Sequence, residues 1–172
     1  MLVKDKNITY IKWDMGVPSN HNDIWRLGIG YNATFERLAN YTKITDTNNT
    51  TSGVIYTIKQ DNSNNYQLPT SCMIELDIKR VDGSATSPIL TPRPNGVSIS
   101  SYSANLDNFG ITDTNWHTVQ LKLTPTKISR MINGVEITGQ NVIDTVNYWC
   151  FGLWTGADIT EIHFKNFVVY EI

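Results

Sequence analysis

Cys72-Met73-Ile74-Glu75-Leu76-Asp77-Ile78-Lys79 alternates between apolar and longer or charged side chains without a break. A strand sends successive side chains to opposite faces. Cys72, Ile74, Leu76 and Ile78 therefore belong to a core face, and Met73, Glu75, Asp77 and Lys79 to a solvated one. The same period recurs downstream. Residues 116–124 put His117, Val119, Leu121 and Leu123 on one side and Trp116, Thr118, Gln120 and Lys122 on the other. Residues 127–132 and 135–138 flank Asn133-Gly134, the pair that best tolerates the positive φ of a two-residue hairpin turn. Residues 146–154 are apolar on both parities, as in a central strand covered on both sides. Residues 159–172 close the chain with a phase slip at Lys165-Asn166, which predicts a bulge.

Upstream the signals are shorter. Residues 7–13, 24–31 and 53–59 read as strands, with loops at 16–22, 46–52 and 61–66. Phe35, Leu38 and Ala39 fall at helical spacing and predict one short helix over 34–40. Val81-Asp82-Gly83-Ser84 reads as a turn. Pro88, Pro92 and Pro94 make 87–95 a loop or an edge segment, and 97–102 alternates as a strand. About ten to twelve short strands with turn signals between them predict an all-β, two-sheet antiparallel sandwich. No repeat or linker divides residues 1–172, so the chain reads as a single domain.

Composition agrees. The 172 residues hold 19 Ile, 11 Val and 20 Thr against 5 Ala and 10 Leu, which favours pleated surfaces over helices. Charged residues are 17% and the net charge is −2, with 18 Asn and 11 Ser carrying much of the polarity. An isoelectric point near 5.9 argues against nucleic acid, whose phosphates need a basic surface. No apolar run reaches the length that inserts into a membrane. The start of the chain is charged and does not read as a signal peptide. Five N-x-[ST] sequons, at Asn7, Asn32, Asn40, Asn48 and Asn49, permit glycosylation without requiring it. Cys72 and Cys150 each lie in an apolar stretch; they read as two buried thiols or as one disulfide.

From Asn115 onward the order of motifs becomes distinctive: Trp116-His117-Thr118-Val119, the Asn133-Gly134 hairpin, Phe151-Gly152-Leu153-Trp154, and Phe164-Lys165-Asn166-Phe167-Val168. Preceded by Ile74-Glu75-Leu76-Asp77-Ile78, this order resembles the concanavalin A-like lectin/glucanase superfamily, including laminin-G-like and sugar-binding jelly rolls. The resemblance covers residues 70–172. It implies a jelly roll of one convex and one concave sheet, with ligands met on the concave face or at its loop edge.

The β-glucanase branch of that superfamily carries three carboxylates at alternate positions of one strand. Alternation places all three on the cleft face. Retaining hydrolysis needs a nucleophile and an acid/base about 5–5.5 Å apart. Glu75 matches the nucleophile and Asp77 the middle carboxylate, but Lys79 stands at the acid/base position. An ammonium cannot serve first as acid and then as base there, so no catalytic residue is expected. The three residues read as a solvated face or as the relic of an active site. His21, His117 and His163 lack metal-ligand spacing, and neither a nucleophile elbow nor a phosphate loop is present. No cofactor is expected. The resemblance leaves room for a structural calcium, for which the oxygens of His21-Asn22-Asp23 and Asp107-Asn108 are candidates, and no metal ligand is assigned.

Sugar binding needs aromatic faces beside amide and carboxylate groups. The expected site residues are Glu75, Asp77, Trp154, Tyr148 and Trp25, with burial in the core the competing reading for each ring. Trp154 and Tyr148 share the parity opposite to Trp149, Phe151 and Leu153. The function expected is a non-catalytic carbohydrate-recognition module of a cell-surface adhesin or a virion tail or fibre appendage. Its partners would be a glycan or cell-surface polysaccharide and other copies or subunits of a surface assembly, placing it extracellularly or on a cell or virion surface. The alternatives are a protein-docking jelly roll and a glycoside hydrolase with displaced catalytic residues.

Overall fold

A computed structural model describes residues 2–4, 9–11, 25–31, 33–46, 54–59, 67–81, 88–154 and 161–172. Fourteen strands run through them: β1 (Leu2–Lys4), β2 (Thr9–Ile11), β3 (Trp25–Tyr31), β4 (Ala33–Arg37), β5 (Thr42–Asp46), β6 (Val54–Lys59), β7 (Cys72–Lys79), β8 (Ile89–Pro94), β9 (Ala104–Asn105), β10 (His117–Leu123), β11 (Lys127–Ile132), β12 (Val135–Asn141), β13 (Trp149–Trp154) and β14 (Glu161–Glu171). They form two seven-stranded antiparallel sheets. One has the order β1-β2-β3-β6-β13-β8-β9, the other β12-β11-β10-β7-β14-β5-β4. The expected all-β sandwich is therefore the fold.

The core lies between the sheets. Ile74, Leu76 and Ile78 of β7 and Val119, Leu121 and Leu123 of β10 meet Trp149, Phe151 and Leu153 of β13 there, with Phe164 of β14; every one is at most 1% exposed. Phe151 and Phe167 stack across the interface with centroids 6.4 Å apart. The Trp149 indole donates to the Thr70 carbonyl at 3.1 Å, so the largest buried ring leaves no bare donor.

The hairpin and the bulge stand where they were read. Asn133 and Gly134 take φ of 48° and 82° between β11 and β12. The β7–β14 register shifts between Lys165 and Val168, with Asn166 at φ 52°. Two local readings need correction. Residues 33–37 form β4 rather than a helix, because pairing with β5 supplies the backbone bonds that a helix would otherwise provide. Residues 97–102 form no strand. The chain turns at Asn95-Gly96, both at positive φ, and ends in a 3₁₀ turn over Ser100–Tyr102. The proline-rich segment is β8, paired with β13 along its length but with β9 only at Ile89 and Leu90. Pro92 and Pro94 thus sit where no second neighbour asks for an N–H. The loops expected at 16–22 and 61–66 and most of the turn at 81–84 lie outside the described residues.

Cys72 and Cys150 are both free and buried, on strands of opposite sheets, so the disulfide alternative falls. Burial pushes the Cys72 thiol up to about 12 and that of Cys150 up to about 11.

Candidate functional site

The outer face of the β7 sheet is built by register. Antiparallel partners stand side by side across strands, so each polar residue of β7 heads a row. Glu75 stands opposite Gln120 on β10 and Val168 on β14. Asp77 stands opposite Thr118 and Lys165. Lys79 stands opposite His163, which stands opposite Lys43 on β5, and Lys43 opposite Glu36 on β4.

Neutral donors hold the two carboxylates. Thr118 Oγ1 donates to Asp77 Oδ1 and Asn166 Nδ2 to Asp77 Oδ2, each at 2.6 Å. Gln120 Nε2 donates to Glu75 Oε2 at 2.6 Å, while Gln120 Oε1 accepts from the Gly134 N–H at 3.0 Å. The bulge has a purpose here. A residue at positive φ re-aims its side chain, and Asn tolerates that conformation. Asn166 uses it to reach Asp77.

An aromatic group closes one end of the face. Tyr41, just before β5, lies 5.8 Å from Trp116 and 4.7 Å from His163, centroid to centroid. Lys165 Nζ lies 4.6 Å from the Trp116 centroid. Lys79 Nζ lies 5.4 Å from the same centroid and 5.9 Å from that of Tyr41. His163 is buried, and desolvation holds its pKa below the usual imidazole value despite a 3.0 Å contact from Nε2 to Glu161. Burial thus favours the neutral ring, whose Nε2 faces the Glu161 carboxylate.

The expected site residues do not all come together. Glu75 and Asp77 share the face just described. Trp154 and Tyr148 belong to the other sheet and its approach loop, so they cannot stack a sugar that Glu75 and Asp77 hold. The parity reading put Trp154 opposite Phe151 correctly; what parity does not contain is the sheet to which a strand belongs. The Trp154 indole N–H is buried without an acceptor among the described residues. The Tyr148 hydroxyl donates to the Asn95 carbonyl at 3.1 Å, and Asn95 also binds the Thr145 carbonyl and the Asn147 N–H, so Tyr148 ties a loop. Trp25 opens β3, and its side chain lies outside the described residues. Tyr41, Trp116, His163 and Lys165 were missed as a group. Besides the alternation that exposes Glu75 and Asp77, the Lys165-Asn166 phase slip is the sequence signal that pointed at this face.

No group of three or more His, Cys, Asp or Glu able to hold a metal occurs among the described residues. Asp107 and Asn108 each use a side-chain oxygen within the chain. Asp107 Oδ1 accepts from the buried Arg80, and Asn108 Oδ1 accepts from the Asn105 N–H in a reciprocal cap. His21-Asn22-Asp23 lies outside the described residues.

No protein-family model and no curated protein matches the sequence. Solved structures do. A sialidase superposes with a TM-score of 0.60 at 11% identity, covering 94% of this chain but only 18% of the sialidase. A protein of Parabacteroides distasonis ATCC 8503 assigned to the glycosyl hydrolases gives 0.52 at 13% identity, covering 82% of this chain and 94% of that one. The exoplasmic/lumenal domain of VIP36, bound to Ca²⁺ and Man3GlcNAc, gives 0.50 at 9% identity, covering 94% and 89%. The fold is the concanavalin A-like jelly roll that the motif order resembles. No helix among the described residues is long and apolar enough to cross a membrane.

Proposed function

We propose that this domain is a non-catalytic carbohydrate-recognition module, and that the outer face of the β7 sheet receives the glycan. The observation that carries the reading is the way Glu75 and Asp77 are held. Neutral amides and a hydroxyl fix both carboxylates on a solvated face, in place of salt bridges. Carboxylates positioned by neutral donors keep lone pairs and charge for hydroxyl donors. Trp116 and Tyr41 stand at the end of the same face. The shared fold of a Man3GlcNAc-bound lumenal domain supports the reading.

Catalysis is not proposed, because Lys79 occupies the third alternate position of β7 and its ammonium leans on two aromatic rings. Placement on a cell-surface adhesin or a virion appendage remains the biological setting that the reading implies. A docking role has its own support at the sheet edge, where β12 exposes Val135 and Ile137.

A glycan array with the isolated domain tests the proposal. A hit whose affinity falls about tenfold or more in Asp77→Asn and Trp116→Ala, with folding intact, is expected. An array without hits, together with self-association lost on Val135→Lys, would favour docking. Cleavage of a β-glucan that disappears in Glu75→Gln would restore the hydrolase.

A further inference from the structure

We infer that the sugar recognised at the Tyr41–Trp116–His163 end of this face is anionic, its carboxylate or sulfate received by the Lys79 and Lys165 ammonium groups. The inference rests on the glycan-binding reading and names the class of ligand within it.

Two cations converge on one indole. They come from neighbouring strands, since Lys79 is two residues beyond Asp77 on β7 and Lys165 is the residue opposite Asp77 on β14. Ammonium groups 4.6 Å and 5.4 Å from the same ring centroid are each attracted to the ring quadrupole and repel one another. Among the described residues neither has a carboxylate within 4.0 Å, and neither donates a hydrogen bond. Each ammonium has three donors to place.

Among the described residues the nearby carboxylates are otherwise engaged. Asp77 receives Thr118 and Asn166. Glu161 contacts His163 at 3.0 Å and Lys43 at 3.9 Å, and Glu36 holds Lys43 at 2.7 Å. Lys79 and Lys165 thus stand beside the rings as two cations with no carboxylate of their own among the described residues. Lys43 shows the contrast: on the same row it is paired at once by a carboxylate.

The same geometry disfavours a neutral sugar at this end. A pyranose stacks its C–H surface on a bare ring face, and here ammonium groups lean over the Trp116 and Tyr41 rings. An anion meets them instead. It bonds to donors already positioned and relieves their mutual repulsion, while the sugar hydroxyls reach Asp77 and Glu75 along the face. Carboxylated and sulfated sugars share this chemistry.

Titration calorimetry on matched pairs tests it: lactose against 3′-sialyllactose, methyl-esterified against free trigalacturonate, and unsulfated against 6-O-sulfated N-acetyllactosamine. The acidic member of at least one pair should bind about tenfold tighter, and the preference should shrink as salt rises from 50 to 500 mM. Which pair responds separates carboxylate from sulfate. Lys79→Gln and Lys165→Gln should each remove most of the preference, and Lys165→Arg should keep it. Melting curves check folding. Equal affinity within every pair, with binding still lost in Trp116→Ala, would overturn the anionic assignment and leave the lectin reading standing. An acid preference that survives both lysine substitutions would also overturn it. No binding to any of these sugars or to a glycan array would remove both.

Discussion

β7 and β13 are both central strands of seven-stranded sheets, yet their burial differs. β7 is buried at every second residue, and its other side faces solvent with Met73, Glu75, Asp77 and Lys79 half-exposed. β13 is buried at every position but its last, because the side away from the core carries Cys150, Gly152 and Trp154 beside the buried Thr91 of β8. Both strands contribute to the core. Only β7 has a second face on which polar groups can be arranged for something outside the chain. A strand buried on both sides can specify the fold; a strand buried on one side can also carry a site.

The largest effect expected from this contrast is on stability. Phe151→Ala should cost about 3–5 kcal/mol and Leu121→Ala about 2–5 kcal/mol, measured by denaturant unfolding. Asp77→Asn can still accept from Asn166 with its amide oxygen and donate its amide to the Thr118 hydroxyl, and should cost less than about 1 kcal/mol. If Asp77→Asn rivalled Phe151→Ala, the outer face of β7 would be a structural layer and the contrast would collapse.

A second effect comes from the buried thiols. The Cys72 pKa is raised by burial from 9.0 to about 12, so the unfolded chain loses this proton first. Between those values the native state holds more protons, and stability must fall as pH rises. The slope contributed by Cys72 should approach about 1.4 kcal/mol per pH unit, and Cys72→Ala should flatten it. Below pH 9 neither cysteine should react with a thiol reagent in the folded protein. Rapid native labelling of Cys150 would mean that the outer side of β13 is open after all.

A smaller effect separates backbone from chemistry at the bulge. Asn166 sits at φ 52°, so Asn166→Ala should cost about 1–2 kcal/mol. Asn166→Gly should be better tolerated while still removing the donor to Asp77. Equal losses in the two variants would assign the cost to the hydrogen bond rather than to the backbone.

Much of this fold was legible because period two is a strong signal wherever one face is buried, as in residues 72–79 and 117–123. Asn133-Gly134 and Lys165-Asn166 were legible because left-handed conformations select residue types. The helix expected at 34–40 failed because edge pairing decided a segment of weak propensity. The site was half legible. Glu75 and Asp77 follow from one strand, but Tyr41, Trp116, His163 and Lys165 come from three other segments that meet only through strand order. Parity placed Trp154 on its side of the strand, but it carries no information on which sheet that strand joins.

The most direct measurement compares the two sheets in one binding experiment. A glycan-array hit is titrated against Asp77→Asn and Trp116→Ala on and beside the β7 sheet, and against Trp154→Phe and Tyr148→Phe at the β13 sheet, with folding verified for all four. Affinity should fall about tenfold or more in the first pair and stay within about twofold of the parent in the second. Loss confined to the second pair would place the site on the β13 side and contradict the assignment made from Glu75 and Asp77.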